Sequence, residues 1–341
     1  EASSTKDQCR TGTCWSFATT SFLESELIRM GKGNIDLSEM YNVRMTYPEK
    51  VKSYIRFQGK TQFGPGSLSH DVINVIAKHG VVPESVYSGL KNGETVHNHN
   101  EMDNVLEAMA NSIVENSRGS ISPNWNGAVD GVLDAYLGDA PESFTVDGKT
   151  YTPAEYRDFL GINASDYVSL SSFTHHPFYE KFILEVPDNF SQGMFHNVPM
   201  DDLVNVTEAA LRSGYTVAWD ADVSEPGFSF RNGMALLLDR SIPKGERFSE
   251  IQEEMPVSQE GRQSNFDSYS TTDDHLMHLI GMARDQNGKQ YFIIKNSWGS
   301  DNPYDGKQYI SYDYFKMKTV GLLLHKGALP KPLAKKLRIR Q

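Results

Sequence analysis

Cysteine is scarce: Cys9 and Cys14 are the only two in 341 residues. Two thiols five positions apart cannot staple a chain of this length, so a disulfide framework is excluded. No apolar run approaches the ~18–20 residues of a membrane-spanning helix. Basic residues are outnumbered, 33 Lys and Arg against 44 Asp and Glu, and the formal charge is −11. Such a surface repels phosphate, which argues against nucleic acid as a partner. There is no internal repeat, low-complexity block or charged linker. Histidines stand in pairs at His97 and His99 and at His175 and His176, but no matching Cys or carboxylate cluster and no His-Glu-x-x-His accompanies them. They read as surface histidines, and no metal site is expected. What remains, 38% hydrophobic and 23% charged residues, suits a soluble globular protein of one large domain or two lobes.

The chemistry begins at Gln8-Cys9-Arg10-Thr11-Gly12-Thr13-Cys14-Trp15-Ser16-Phe17-Ala18. A polar loop gives way to an apolar run through Phe22, Leu23, Leu27, Ile28 and Met30, mostly at three- and four-residue spacing. This predicts a helix opened by Thr13 and Ser16, with Glu24 and Glu26 on its polar side and Gly31 and Gly33 at its end. Cys14 then sits at a helix N-terminus, which carries roughly +0.5 of an elementary charge and favours thiolate. Gln8 lies six residues upstream, and a loop containing Gly12 can bring its amide beside the sulfur. That amide and the Cys14 backbone N–H would make two donors for a developing oxyanion.

The C-terminal half supplies the rest. Asp274-His275-Leu276-Met277-His278-Leu279-Ile280-Gly281 and Tyr291-Phe292-Ile293-Ile294-Lys295-Asn296-Ser297-Trp298-Gly299 read as strands joined at Asp285-Gln286-Asn287-Gly288. Such a hairpin can set a His beside an Asn. The His takes the thiol proton and later hands it to the leaving amine, while the Asn orients the ring. Trp298 can cover that bond. His275 and His278 differ by three, so on a strand they face opposite ways.

Gln8-x5-Cys14-Trp15-Ser16-Phe17-Ala18, Asp274-His275 and Asn296-Ser297-Trp298-Gly299, in that order, resemble the three signatures of papain-like cysteine peptidases. Leu37-Ser38-Glu39-Met40-Tyr41, Tyr151 to Tyr156, Asn197 to Leu203 and Gly214 to Val223 narrow the likeness to the bleomycin hydrolase and aminopeptidase C branch. The middle insertion is shorter than in that branch and the tail differs. The resemblance implies an α+β, two-lobed fold: a helical lobe, residues 1–200, carrying Cys14, and a β-barrel-like lobe, residues 201–341, carrying His275, Asn296 and the tail. It assigns Cys14, His275, Asn296 and Gln8 to catalysis, with His278 left as a core histidine. Gly12, Gly66, Asp274, Leu276 and Trp298 are assigned to substrate binding; Gly66 in Phe63-Gly64-Pro65-Gly66-Ser67 stands for the family's backbone-binding glycine pair. The reaction is acyl transfer to Cys14 and hydrolysis of the acyl-enzyme, with peptides as partners, no cofactor or metal and no membrane; the sequence leaves a homo-oligomer open.

Pairing of Cys9 with Cys14 would silence the nucleophile. Thr11 replaces a Cys that secreted, plant-type members use for a disulfide, which agrees with a reducing compartment or a bacterial lineage. The chain opens at Glu1 with no basic-plus-apolar signal, so a cytoplasmic location is expected, with the periplasm or secretion open if a signal was removed.

Further expectations follow along the chain. Asp36 and Glu39 have capping-box spacing for the next helix. Helices are expected over Leu68–His79, Glu101–Asn116 and Asp202–Leu211, and strands over Tyr215–Val223, His275–Arg284, Gln290–Trp298, Lys307–Tyr314 and Thr319–His325. Residues 224–273 read as a long polar excursion at the site's edge. The branch uses a C-terminal carboxylate in the cleft to hold the substrate amine. The tail here, Lys326 to Gln341, is basic instead, so endopeptidase action is the alternative to an aminopeptidase. A catalytically idle binding or scaffold protein is the alternative of another class.

Overall fold

The computed structural model describes residues 1–117, 119–250 and 252–341. Five helices come first: α1 (Cys14–Arg29), α2 (Glu39–Arg56), α3 (Ser69–His79), α4 (Asn100–Glu115) and α5 (Trp125–Leu137). A hairpin of β1 (Phe144–Val146) and β2 (Lys149–Tyr151) leads into α6 (Pro153–Leu160), then β3 (Tyr167–Ser171), β4 (Lys181–Ile183) and β5 (Met194–Asn197). There follow α7 (Met200–Arg212), β6 (Val217–Ala221), β7 (Phe228–Ser229), β8 (Met234–Ala235) and α8 (Gln259–Asp267). The chain ends with β9 (His275–Arg284), β10 (Gln290–Lys295), β11 (Lys307–Ser311), α9 (Tyr312–Lys318), β12 (Thr319–His325) and α10 (Lys331–Lys336).

Ten strands form one sheet in the order β4-β5-β3-β12-β6-β9-β10-β11-β8-β7, antiparallel except at β3/β5 and β11/β8. Its central strands bury both faces, so they read as continuous apolar runs. On β6 and β9, Ala218 and Leu276 join the core that α1 heads. Val217, Trp219, Met277 and Leu279 join a second core with Leu203 and Val206 of α7 and Phe315 of α9. The sheet thus lies between α1 on one side and α7 and α9 on the other.

Several local expectations change. α1 is buried all the way from Cys14 to Leu27, so it has no polar face. Glu24 and Glu26 are inside: Glu24 accepts from the Leu37 backbone at 3.0 Å and from Ser3, and Glu26 pairs with Arg29 at 2.6 Å. The cap of α2 is Ser38, whose hydroxyl accepts from Tyr41 N–H at 3.0 Å, while Asp36 and Glu39 both hold Lys6. Residues 312–314 leave the expected strand because Ser311 caps a helix there, accepting from Tyr314 N–H at 3.1 Å. The polar excursion contains α8, whose Arg262 is fully buried and donates to the carbonyls of Ser172 (2.7 Å), Lys316 (2.9 Å), Met317 (3.3 Å) and Thr319. The β9–β10 turn is as expected: Gly288 has φ +83°, and the Asp285 carboxylate accepts from Asn287 and Lys289 N–H, both at 2.9 Å.

Two terminal segments matter for the site. Residues 3–8 run as a strap between the layers. Lys295 of β10 donates to Ser3 and Ser4 carbonyls at 3.1 and 3.0 Å, Lys6 pairs with Glu39 of α2 at 2.8 Å, and Gln8 N–H donates to Ser297 O at 2.9 Å. The tail packs Leu333, Ala334 and Leu337 into the core shared with α7 and α9, and the Gln341 amide donates to Lys326 O at 3.2 Å. The sheet therefore separates the tail from Cys14, and the Gln341 carboxylate is not a cleft group.

Candidate active site

Cys14 is the first residue of α1, and its backbone N–H is one of the helix's unbonded donors. The Leu276 backbone N–H is aimed at its sulfur. Leu276 directly follows His275, so the packing of α1 on β9 sets the thiol at the imidazole's strand position. His275 Nε2–H donates to Asn296 Oδ1 at 2.8 Å, which leaves Nδ1 with the lone pair. Asn296 is itself oriented: its Oδ1 also accepts from Ser297 N–H at 2.7 Å, and its Nδ2 donates to Gln308 at 2.8 Å. The Trp298 indole lies over the imidazole, centroids 4.6 Å apart and planes 26° from parallel, and is backed by Phe228 and Phe230.

Gln8 is also held. Its Oε1 accepts from Ser297 Oγ at 2.7 Å and one N–H donates to Thr11 O at 2.8 Å, leaving the second N–H free to donate. Sequence reasoning missed Ser297 and Gln308 as supports. Ser297 was inside a quoted motif; Gln308 had only its place on a buried strand.

His278 faces the other way, as its spacing predicted. It is fully buried, bonded to Ser21 of α1 through Nδ1 at 2.7 Å, and burial pushes its pKa well below the usual value. Burial, then the fields of Asp273, Asp220 and Asp188, push the Cys14 thiol up to about 12. Burial pushes His275 down to about 4 against the opposing pull of Asn296. Between these values the two groups together carry one proton. Desolvation is the largest influence on both groups.

The expected binding residues are placed as follows. A Cβ on Gly12 would lie 2.5 Å from the Pro65 ring, so only glycine fits there. Pro65 O in turn accepts from the Trp15 indole at 3.0 Å. Gly66 lies against Asp188, and its carbonyl accepts from the buried Lys50, which also donates to Gly64 O at 2.8 Å. Desolvation lowers Lys50 to about 8, opposed first by Asp188. Asp274 closes a loop, accepting from Thr272 Oγ1 at 2.7 Å and from Val223 and Ser224 N–H at 3.2 and 3.1 Å. Leu276 and Trp298 border the thiol and the imidazole respectively.

His175 and His176 do have a carboxylate beside them, contrary to the sequence reading: their Nε2 atoms lie 3.1 and 2.7 Å from Glu185. The Gln263 amide donates to His175 Nδ1 at 3.0 Å, while Gln263 Oε1 is held by Thr174 N–H. Nδ1 is thereby an acceptor, whereas ligation through Nε2 wants it protonated and donating. The cluster is accounted for by its own hydrogen bonds.

An α+β fold with a thiol at a helix N-terminus, an amide-oriented imidazole across from it and an indole cover define a papain-like cysteine peptidase. The chain belongs to the Peptidase C1-like family, which it matches over residues 135–340. It is similar to Aminopeptidase G of Lactobacillus delbrueckii subsp. lactis, 24% identical over 368 aligned positions covering 95% of this chain and 81% of that protein. Aminopeptidase W of the same organism is 22% identical over 370 positions, again with 95% and 81% covered. The crystal structure of pepW from Lactobacillus rhamnosis HN001 shares the fold, with a TM-score of 0.77 over 99% of this chain and 83% of that one, at 19% identity. No helix among the described residues is long and apolar enough to cross a membrane.

Proposed function

We propose that the chain is an aminopeptidase in which Cys14 is the nucleophile, His275 the acid–base, Asn296 its orienting partner and Gln8 the oxyanion donor. The observation that carries this is the Cys14 sulfur at the Leu276 N–H, one residue along β9 from a His275 whose Nε2–H is committed to Asn296. The proton passes from sulfur to Nδ1 as sulfur attacks the substrate carbonyl. It leaves with the amine when the C–N bond breaks, and water then cleaves the thioester with His275 as base. Gln8 and the Cys14 N–H stabilise the tetrahedral oxyanion. The names of the two Lactobacillus relatives support removal of N-terminal residues rather than internal cleavage.

The test has two arms. Cys14→Ala abolishes hydrolysis with the fold intact, while Cys9→Ala keeps most of it; the reverse pattern removes Cys14 as nucleophile. A free-amine peptide is cleaved in preference to its acetylated twin; equal cleavage leaves an endopeptidase. That second reading is favoured by one observation, the tail's position on the far face of the sheet, where it cannot wall off the cleft.

A further inference from the structure

Residues 333–341 pack on the far face of the sheet from Cys14, so none of them meets a substrate ammonium in the site. Four aspartates stand at the end of β6, just after it and just before β9, and they divide sharply. Asp222 and Asp274 are satisfied: Asp222 accepts from Ser224 N–H and Oγ, both at 2.8 Å, and lies 3.7 Å from Lys318, while Asp274 closes its loop as described. Asp220 and Asp273 are not. Asp220 is 4% exposed, and neither of its oxygens accepts from an N–H or hydroxyl donor; Asp273 Oδ2 has no such donor either. Among the described residues no Lys or Arg pairs with either. A buried carboxylate without protein donors is the costly case, so such a pair calls for a cation or a retained proton.

Position says which cation. Asp220 stands in register opposite Leu276, whose N–H meets the Cys14 sulfur. It is on the sheet face toward α1, as Leu276 is, because Ala218 two residues earlier belongs to the α1 core. Asp273 precedes His275 by two residues, and its carboxyl meets that of Asp220. Asp188 closes a third side from the loop after β4, its carboxylate lodged against Gly66. Lys50 faces Asp188 from α2, but its ammonium is engaged by Gly64 and Gly66 carbonyls. The open oxygens are therefore beside the thiol, within reach of the acyl half of a bound substrate.

We infer that Asp220 and Asp273 form the receptor for a substrate ammonium group next to the scissile carbonyl. Assigning that ammonium to the peptide's α-amine rests on the aminopeptidase reading; a lysine side chain presents the same chemistry. In the empty site the two carboxyls share one proton. The ammonium donates its N–H groups to Asp220 and to Asp273 Oδ2, and the shared proton leaves to solvent. Burial raises both carboxyls above their ordinary values, joined at Asp220 by the charge of Asp273 and at Asp273 by the charges of Asp188 and Asp274, which agrees with a site that receives a cation.

The test compares wild type, Asp220→Asn and Asp273→Asn on three anilides: a neutral peptide with a free amine, its acetylated twin, and an acetylated peptide carrying lysine on the acyl side. Wild type should favour the free amine over its acetylated twin by about 10-fold or more in kcat/KM, and the ratio should fall below about 2 in each variant that keeps the wild-type near-UV circular dichroism. If only the lysyl peptide is favoured, and the variants lose that preference, the receptor stands with a side-chain ligand and the aminopeptidase reading falls. A free-amine preference that persists in the variants keeps the aminopeptidase reading and overturns the receptor. No preference for either cation overturns both. Calorimetry on the unaltered enzyme needs no variant: alaninol, an amine without an acyl group, should release about one proton per molecule bound when titrated near neutral pH in buffers of differing ionisation enthalpy. Release of none overturns the receptor.

Discussion

Replacing Gly12 by alanine tests whether the loop between Gln8 and Cys14 is held in place by its neighbour. The added Cβ would lie 2.5 Å from Pro65 Cγ and 2.7 Å from Pro65 Cβ. Carbon atoms settle at ~3.5–4.0 Å, so one side must retreat by about 1 Å. Pro65 is not free to move, because its carbonyl accepts from the buried Trp15 indole at 3.0 Å and the loop continues into the Lys50 anchor at Gly64 and Gly66. The retreat therefore falls on residues 11–13, where Thr11 O holds the Gln8 amide at 2.8 Å and Thr13 O accepts from Ser16 N–H at 2.9 Å as the Cys14 helix opens. Overpacking of this kind destabilises by about 1–3 kcal/mol. A displacement near 1 Å of an oxyanion donor costs about 100-fold in rate. The assay is kcat/KM with a thiol titration of active sites, alongside the thermal midpoint, for Gly12→Ala, Pro65→Gly and the double variant. Pro65→Gly removes both clashing carbons, so the double variant should recover at least about 1 kcal/mol and about 10-fold in rate relative to additivity. A Gly12→Ala enzyme with wild-type activity, or a double variant showing no recovery, would refute the reasoning.

Other outcomes follow from the same geometry. Arg262→Met strands four backbone carbonyls that now share one buried guanidinium, and should destabilise by about 3–5 kcal/mol in denaturant titration; a loss under about 1 kcal/mol would mean the carbonyls find other donors. His278→Ala should lower stability by about 2 kcal/mol by orphaning Ser21 in the core, while each folded molecule keeps its turnover, whereas His275→Ala should lose about 1000-fold in kcat; an inactive, stable His278 variant beside an active His275 variant reverses the assignment. The pH dependence has a definite sign. Burial and Asp188 hold Asp273 up at about 7, so the receptor gains a proton and loses its hold on an ammonium as pH falls through about 7. The free-amine preference should therefore rise from about pH 6 to about pH 7.5, then fall as the peptide amine itself deprotonates near ~8; a preference flat across that range would show that Asp273 does not meet the amine.

The catalytic arrangement was legible because its residues occupy sharply marked local positions. Cys14 falls at an abrupt change from polar loop to apolar run, and the His275 and Asn296 strands carry a turn whose Asp and Gly leave little choice of connection. Opposite faces for His275 and His278 follow from the two-residue period alone. Burial of Glu24 and Glu26 was not legible, since nothing in α1 announces that Lys6, Ser3 and Arg29 come to meet it. Ser38 displaced Asp36 as a cap because Lys6 takes the Asp36 carboxylate at 2.6 Å, a partner thirty residues away in the chain. Short strands β3 to β5 carry too few residues for a period to emerge, and they exist because β12 offers them an edge. The unsatisfied state of Asp220 was invisible for the opposite reason. In sequence it differs in nothing from Asp222, and what separates them is that Ser224, Thr272 and Lys318 come to meet Asp222.

The strap of residues 3–8 gives this cleft a stiff hinge. Lys295, Glu39 and Ser297 grip it from both layers, and the last residue it delivers is the oxyanion donor itself. Walls sewn together along the back cannot swing apart to admit a bulky chain and then close on it. Substrate must enter a slot of set width, and little binding energy is diverted into reshaping the protein. Cutting the backbone within the strap would unseat Gln8 and loosen both walls at once, so mechanical cohesion and turnover should be lost in a single event.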